Sequence, residues 1–251
     1  MGFPLGVAAH GARGMDVAVI LAIETAVECV SVALGDHRGM TARAAAVGDR
    51  RHAETLAPMI EFLLAQLAAT PADLSAVAVD AGPGLFTGMR VGIATAQAMA
   101  WALEIPVVPL CSLDILARRA PEGHDLVATA IDARRSEIYW ALHAPRPDGT
   151  LVRLADPVTG SPEELAGILA DRAEPVLCLG TGIERHREVF SGLAWARMAA
   201  PALRFPDAAD MVAMAAPVVA ADGGTEPGAV TPIYLRAPDA EIHWQTRTGS
   251  R

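Results

Sequence analysis

The chain has 251 residues, 52% of them hydrophobic, and a net charge of −9, enough chain for a sizeable core or two compact lobes and too acidic for a stand-alone nucleic-acid binder. All twenty basic residues are arginine, which excludes Schiff-base chemistry, a P-loop lysine and a lysine general base. No apolar run reaches membrane-spanning length and the first fourteen residues lack the layout of a signal peptide, so the composition points to a soluble cytoplasmic protein.

Met15 directly precedes the first strand, and residues 1–15 read as a poorly ordered extension. Residues 17–34 read as an apolar strand, an acidic turn at Glu24 and a second strand with Cys29, Ser31 and Ala33 alternating. A helical stretch follows over 53–68, then a strand over 76–80 that ends in a glycine-rich elbow, Gly82 to Arg90, and a small-residue helix over 91–103. Residues 105–110 form a short strand whose prolines suit an edge, followed by a helix from Ser112.

Residues 125–142 repeat residues 17–34 at a displacement of 108 positions. Val19, Ala22, Ile23, Ala33 and Leu34 fall on Val127, Ala130, Ile131, Ala141 and Leu142, and acidic Glu24 falls on Asp132. The second half continues in the same order, with a helix over 161–171, a strand over 175–179 and a turn at Gly180-Thr181-Gly182. A terminal helix over 208–221 and the run Thr231-Pro232-Ile233-Tyr234-Leu235-Arg236 close the chain. The pattern predicts two α/β lobes with mixed sheets: residues 16–113, residues 114–205, a segment 206–240 returning to the first lobe, and a tail, 241–251.

The elbow invites comparison with phosphate cradles and fits none of them. Met89 and Arg90 stand where a P-loop needs lysine and Ser or Thr, and the glycines fall at the first, third and seventh places rather than the first, third and sixth. Its alternative is a tight turn in which Pro83 fixes φ and Gly84 or Gly88 supplies a positive φ, with Leu85 and Phe86 packing. The seven histidines include no pair at i and i+4, so no metal site is expected. Cys29, Cys111 and Cys178 are odd in number and far apart, and read as buried reduced thiols.

Five segments in order resemble the TsaB (YeaZ) family. Ile20 to Thr25 with Val30 to Leu34 is similar to its opening strand pair, and the elbow matches its G-P-G-S-F-T-G-x-R signature except at Leu85. His52 with Leu56-Ala57-Pro58-Met59-Ile60, Ile131-Asp132-Ala133-Arg134-Arg135 with Glu137-Ile138-Tyr139, and Pro232 to Arg236 resemble three further family segments. Glu24 stands where the family usually has Asp, and Leu85 replaces a small polar residue. The resemblance implies a duplicated actin-like ATPase fold (ASKHA, ribonuclease H-like). It also implies a non-catalytic dimerisation role beside a TsaD-like paralogue and a TsaE-like ATPase, in transferring threonylcarbamoyl to the adenosine beside the anticodon of tRNAs that decode ANN codons. tRNA would be reached only through that complex.

The residues themselves say little for catalysis. Actin-like phosphotransferases wrap nucleotide phosphates with glycine turns after the first-strand aspartates, and neither Glu24 nor Asp132 is followed by glycine. Glu24, Asp132 and Arg134 are the candidate relict nucleotide pocket, with a structural ion pair as the blander reading of the last two. No cofactor is expected on this chain alone, and ATP or ADP only in an assembled complex. The competing reading is an actin-fold phosphotransferase or a relict metallohydrolase. A partner face is placed on Leu56, Met59, Ile60, Leu63, Leu64, Leu85, Phe86, Met89, Arg90, Ile93 and Gln97, with two antiparallel helices meeting a like pair on the paralogue or, in a homodimer, on a second copy.

Overall fold

The structure is a computed structural model, and it describes residues 18–48, 52–123 and 126–236. The expectations for residues 1–15 and 241–251 lie outside these, as do Arg50, Arg51, His10, His124 and His243.

The first lobe is built on β1 (Val19–Glu24), β2 (Cys29–Asp36), β3 (Gly39–Val47), β4 (Leu74–Asp80) and β5 (Val107–Leu110), in the order β3-β2-β1-β4-β5. β1, β2 and β3 pair antiparallel, whereas β4 and β5 join β1 in parallel. Parallel neighbours need crossovers, and α1 (His52–Gln66) and α2 (Phe86–Leu103) supply them. Both helices therefore run opposite to β4. They lie parallel to each other, which corrects the antiparallel pair expected from sequence: each returns the chain from a strand's carboxyl end to the start of the next parallel strand. β5 is an edge strand, as its prolines suggested, and its free side is bridged at Val107 by Thr225.

The second lobe repeats the plan. β6 (Val127–Arg134), β7 (Glu137–Pro145), β8 (Leu151–Arg153), β10 (Val176–Leu179) and β11 (Ala196–Met198) lie in the order β11-β10-β6-β7-β8, with β9 (Val158–Gly160) also on β7. Reversed, this is the order of the first sheet, so the duplication read from the 108-residue displacement is a duplication of topology. The chain has an α/β fold with two mixed sheets of like topology. Three helices complete this lobe: α4 (Pro162–Arg172), α5 (Thr181–Arg185) and α6 (Arg187–Ser191). Ser161 starts α4 with a capping box, accepting from the Glu164 N–H at 3.1 Å while Glu164 Oε2 accepts from the Ser161 N–H at 2.9 Å.

Leu56, Ile60, Leu63, Leu64 and Ile93 pack with Leu21, Ile23, Val77 and Val79 on one face of the first sheet. The other face is covered by α7 (Ala208–Ala220), whose Met211, Val212 and Ala215 meet Ile20, Ala22 and Ala78. Asp207 caps α7 through the Ala209 N–H at 3.0 Å and holds the guanidinium groups of Arg43 and Arg119. Burial opposes ionisation of Asp207, but the Arg43 hydrogen bond, the Ala209 N–H and Arg119 outweigh it and hold its carboxyl below the usual range. α3 (Ser112–Arg118) contains the boundary drawn at residue 113 and serves both lobes: Ile115 packs with α7, while Leu113 and Leu116 pack with Val127, Ile131 and Leu177.

Candidate functional site

β1 and β4 end side by side on Glu24 and Asp80, both fully buried, at the carboxyl edge of the sheet, where open α/β folds place their ligands. The elbow begins two residues past Asp80. Its helix starts at Phe86 rather than 91, so the elbow's second half is the first turn of α2. The positive φ belongs to Gly82 (107°), not to Gly84 or Gly88. Those two are required for another reason: a Cβ on Gly84 would strike the Ala26 carbonyl, and one on Gly88 the Thr25 carbonyl.

The elbow is pressed onto the β1–β2 turn and hydrogen-bonds to it at two points. Leu85 N–H donates to Ala26 O at 2.6 Å, and Thr25 Oγ1 donates to Gly88 O at 2.8 Å. Gly82 N–H donates to Asp80 Oδ1 at 2.8 Å, and Ser112 N–H donates to Gly82 O, also at 2.8 Å. His52, buried at the start of α1, hydrogen-bonds Val27 O at 2.8 Å, which makes it a structural latch on the same turn. Two of the elbow's backbone donors that a phosphate cradle would use, Gly82 and Leu85 N–H, are thus satisfied by protein oxygens.

Beneath the elbow Glu24 and Asp80 form a carboxyl pair. Glu24 Oε1 accepts from Ala26 N–H at 2.7 Å, and Asp80 Oδ1 accepts from Ser112 Oγ at 2.5 Å. Glu24 Oε2 and Asp80 Oδ2 are buried and have no hydrogen-bond partner among the described residues. Burial first, and then each other's charge, raises Glu24 well above the usual carboxylate range; burial likewise lifts Asp80 to about 7 despite Ser112 and Gly82. Asp80 and Ser112 were missed from the sequence. The available signal was an aspartate closing an apolar strand immediately before a glycine elbow.

The other candidate pocket residues sit apart from this pair. Asp132, nearly buried, meets Arg134 and Arg185, each at 3.3 Å, and the first-lobe residue that reaches Arg134 is Glu28, at 2.7 Å. No ion pair among the described residues joins Glu24 to either. Gly180 and Gly182 let α5 close on Ala130, the plain strand-to-helix turn. The three cysteines are buried and unpaired, and burial pushes their thiols up to about 11 for Cys29 and about 12 for Cys111 and Cys178. No cluster of three or more metal-ligating side chains occurs among the described residues.

The residues assigned to a partner face are divided by the fold. Leu56, Ile60, Leu63, Leu64, Met89 and Ile93 are buried, and those of α1 together with Ile93 belong to the first lobe's own core. The apolar stripe is thus the inner face of α1, a correction that follows from the sheet needing that cover. Met59, Leu85 and Gln97 are half-buried, and Gln97 is occupied in holding Pro227 O at 2.8 Å and Val230 O at 3.1 Å. Phe86 and Arg90 are exposed. On the outer faces of the two helices the large apolar side chains are Phe62, 56% exposed, and Trp101, 61% exposed.

Comparison with known proteins bears on this arrangement. The solved structure of YeaZ from Pseudomonas aeruginosa superposes with a TM-score of 0.75 at 32% identity, covering 87% of this chain and all of that one. The family described as "TsaD: tRNA N6-adenosine threonylcarbamoyltransferase" matches residues 44–244. The chain belongs to the TsaB (YeaZ) family. The TsaB-family chain is also 27% identical to the Bacillus subtilis tRNA threonylcarbamoyladenosine biosynthesis protein TsaB, over 90% of its own length and 97% of that protein's. It is 39% identical to Mycobacterium leprae ML0378 over 89% of its length, spanning 56% of that longer relative. No helix among the described residues is long and apolar enough to cross a membrane.

Proposed function

We propose that this chain is a non-catalytic TsaB-type subunit of tRNA threonylcarbamoyladenosine biosynthesis. It binds a TsaD-like paralogue, works beside a TsaE-like ATPase and reaches tRNA only within that assembly. The observation that carries the reading is the closed elbow. A phosphotransferase of this fold would present free backbone donors at the ends of β1 and β4; here Ala26 N–H is taken by Glu24, Gly82 N–H by Asp80 and Leu85 N–H by Ala26 O. Membership of the family supports the pathway, and the acidic charge disfavours direct tRNA capture. ATP or ADP enters, on this reading, only as a ligand of the assembled complex.

A partner face remains on the outside of the α1–α2 layer, where Phe62, Phe86 and Trp101 stand among the small exposed residues Ala94, Ala98 and Ala102. A second parallel helix pair laid on this face gives a four-helix layer, from the paralogue or, in its absence, from a second copy. Mixed with the TsaD-like paralogue of its own organism at micromolar concentration, the chain is expected to co-elute on size exclusion. Separate elution, or ATP turnover by the chain alone that is abolished by Asp80→Ala, sinks the reading.

A further inference from the structure

Among the described residues most ordered arginines end on a carboxylate: Arg38 on Asp36, Arg43 and Arg119 on Asp207, Arg134 on Glu28, Arg153 on Asp114, Arg236 on Glu137. Arg90 is equally well held and has none. Its guanidinium carbon lies 4.0 Å from the centre of the Phe86 ring and 5.8 Å from that of Tyr234, and its Nε donates to the Tyr234 hydroxyl at 2.7 Å. The two rings stack on each other with centroids 5.5 Å apart. Tyr234 is itself fixed, because the neighbouring Ile233 N–H donates to Ala81 O at 2.7 Å. Nε is thus spent on Tyr234, while the terminal Nη1 and Nη2 have no partner among the described residues.

We propose that Arg90, clamped by Phe86 and Tyr234, is a carboxylate receptor on the face this chain turns to its partner protein, and that the partner brings an aspartate or glutamate side chain to it. This rests on the partner-binding role argued above. Three observations favour that occupant. The clamp has already removed most of the arginine's rotamer freedom, so an incoming carboxylate meets a preorganised fork that matches it in two parallel hydrogen bonds. Arg90 sits within the first turns of α2, where a cation opposes the helix dipole, and α2 has no acidic residue in its first turn to offset it. An external anion relieves both. A chain of net charge −9 repels a polyanion but accepts a single buried carboxylate, and the flanking rings, 40% and 38% exposed, form the apolar rim that excludes water around it.

The test is titration calorimetry of the whole chain against the TsaD-like paralogue, in buffer free of nucleotide and tRNA. Arg90→Ala is expected to weaken binding at least about tenfold. Arg90→Lys is expected to weaken it nearly as much, because an ammonium keeps the charge but loses the stacked fork. Tyr234→Phe, which frees Nε and keeps the ring, is expected to fall between wild type and Arg90→Ala. Melting temperatures should stay within about 2 °C for these exposed positions. Unchanged affinity in Arg90→Ala, with wild type binding, overturns the receptor and leaves the subunit reading intact, whereas absence of wild-type binding overturns both. Full affinity in Arg90→Lys overturns the fork. A loss that emerges only when ATP or tRNA is added shows the occupant to be a phosphate and overturns the carboxylate.

Discussion

At the scale of single residues, the Glu24–Asp80 pair is where the chain stores its pH dependence. Both carboxyls are raised by burial, so the folded state holds a proton that the unfolded chain gives up near pH 4. Stability from this source is full below the unfolded carboxylate range and falls as pH rises through the raised folded-state values, Asp80's part being lost at about 7. Glu24→Gln removes one ionisable group and gives Asp80 Oδ2 a permanent amide donor, while the glutamine oxygen can still accept from Ala26 N–H. The variant should melt about 3–6 °C above wild type at pH 8 and match it near pH 4, by calorimetry. A variant that melts below wild type at pH 8 would show that burying the two carboxyls side by side carries no ionisation penalty there. The elbow glycines make a second residue-scale prediction. Gly84→Ala forces a Cβ into the Ala26 carbonyl and should cost about 2–4 kcal/mol in chemical denaturation. Gly167→Ala, in the middle of α4 with open space around it, should gain about 0.5–1 kcal/mol.

At the scale of elements, the sequence was legible wherever periodicity and burial agree. β1, β2, β4, β6 and β7 are apolar because both faces of each sheet are covered, and the repeat at 108 residues carries the duplication in the sequence itself. β3 was not legible. It is an alanine-rich edge strand, Met40 to Val47, whose half-exposed pattern carries little of the β-branched signal that marks a buried strand. The site failed for a different reason. An apolar stripe at three/four spacing tells that a helix is covered, not by what, and the stripe of α1 turned out to be covered by its own sheet. In the sequence Asp80 is only a strand end, because the pairing that gives it meaning comes from Glu24, 56 positions earlier in the chain. The consequence is a split among substitutions that look alike in sequence. Ile93→Asp puts a charge into the first core and should abolish cooperative unfolding, whereas Trp101→Asp, on the outer face of the same helix, should leave circular dichroism unchanged and weaken association with the paralogue. If Ile93→Asp folds like wild type, α2 is not seated on the sheet in this rotation.

At the scale of the whole molecule, the two lobes are joined by α3 and by the segment 231–236. α3 is the apolar joint, and Asp114 adds polar ties to His143 at 3.0 Å and Arg153 at 3.3 Å of the second lobe. The terminal segment is the backbone joint. Ile233 N–H is bound to Ala81 O in the first lobe, while Arg236 reaches Glu137 at 2.8 Å and Ala133 O at 3.4 Å in the second. Tyr234 lies between these two anchors and clamps Arg90, so the strap that joins the lobes also builds the exposed face of α2. Stability of the joint and order of the partner face are therefore one quantity. The double variant Ile233→Pro/Arg236→Ala removes an anchor on each side without touching Phe86, Arg90 or Tyr234. It should lower the melting temperature by about 5 °C, speed amide exchange in both lobes near residues 81 and 133, and weaken partner binding as Tyr234→Phe does. Loss of melting temperature with partner affinity intact would separate the two roles and leave the strap a purely structural tie.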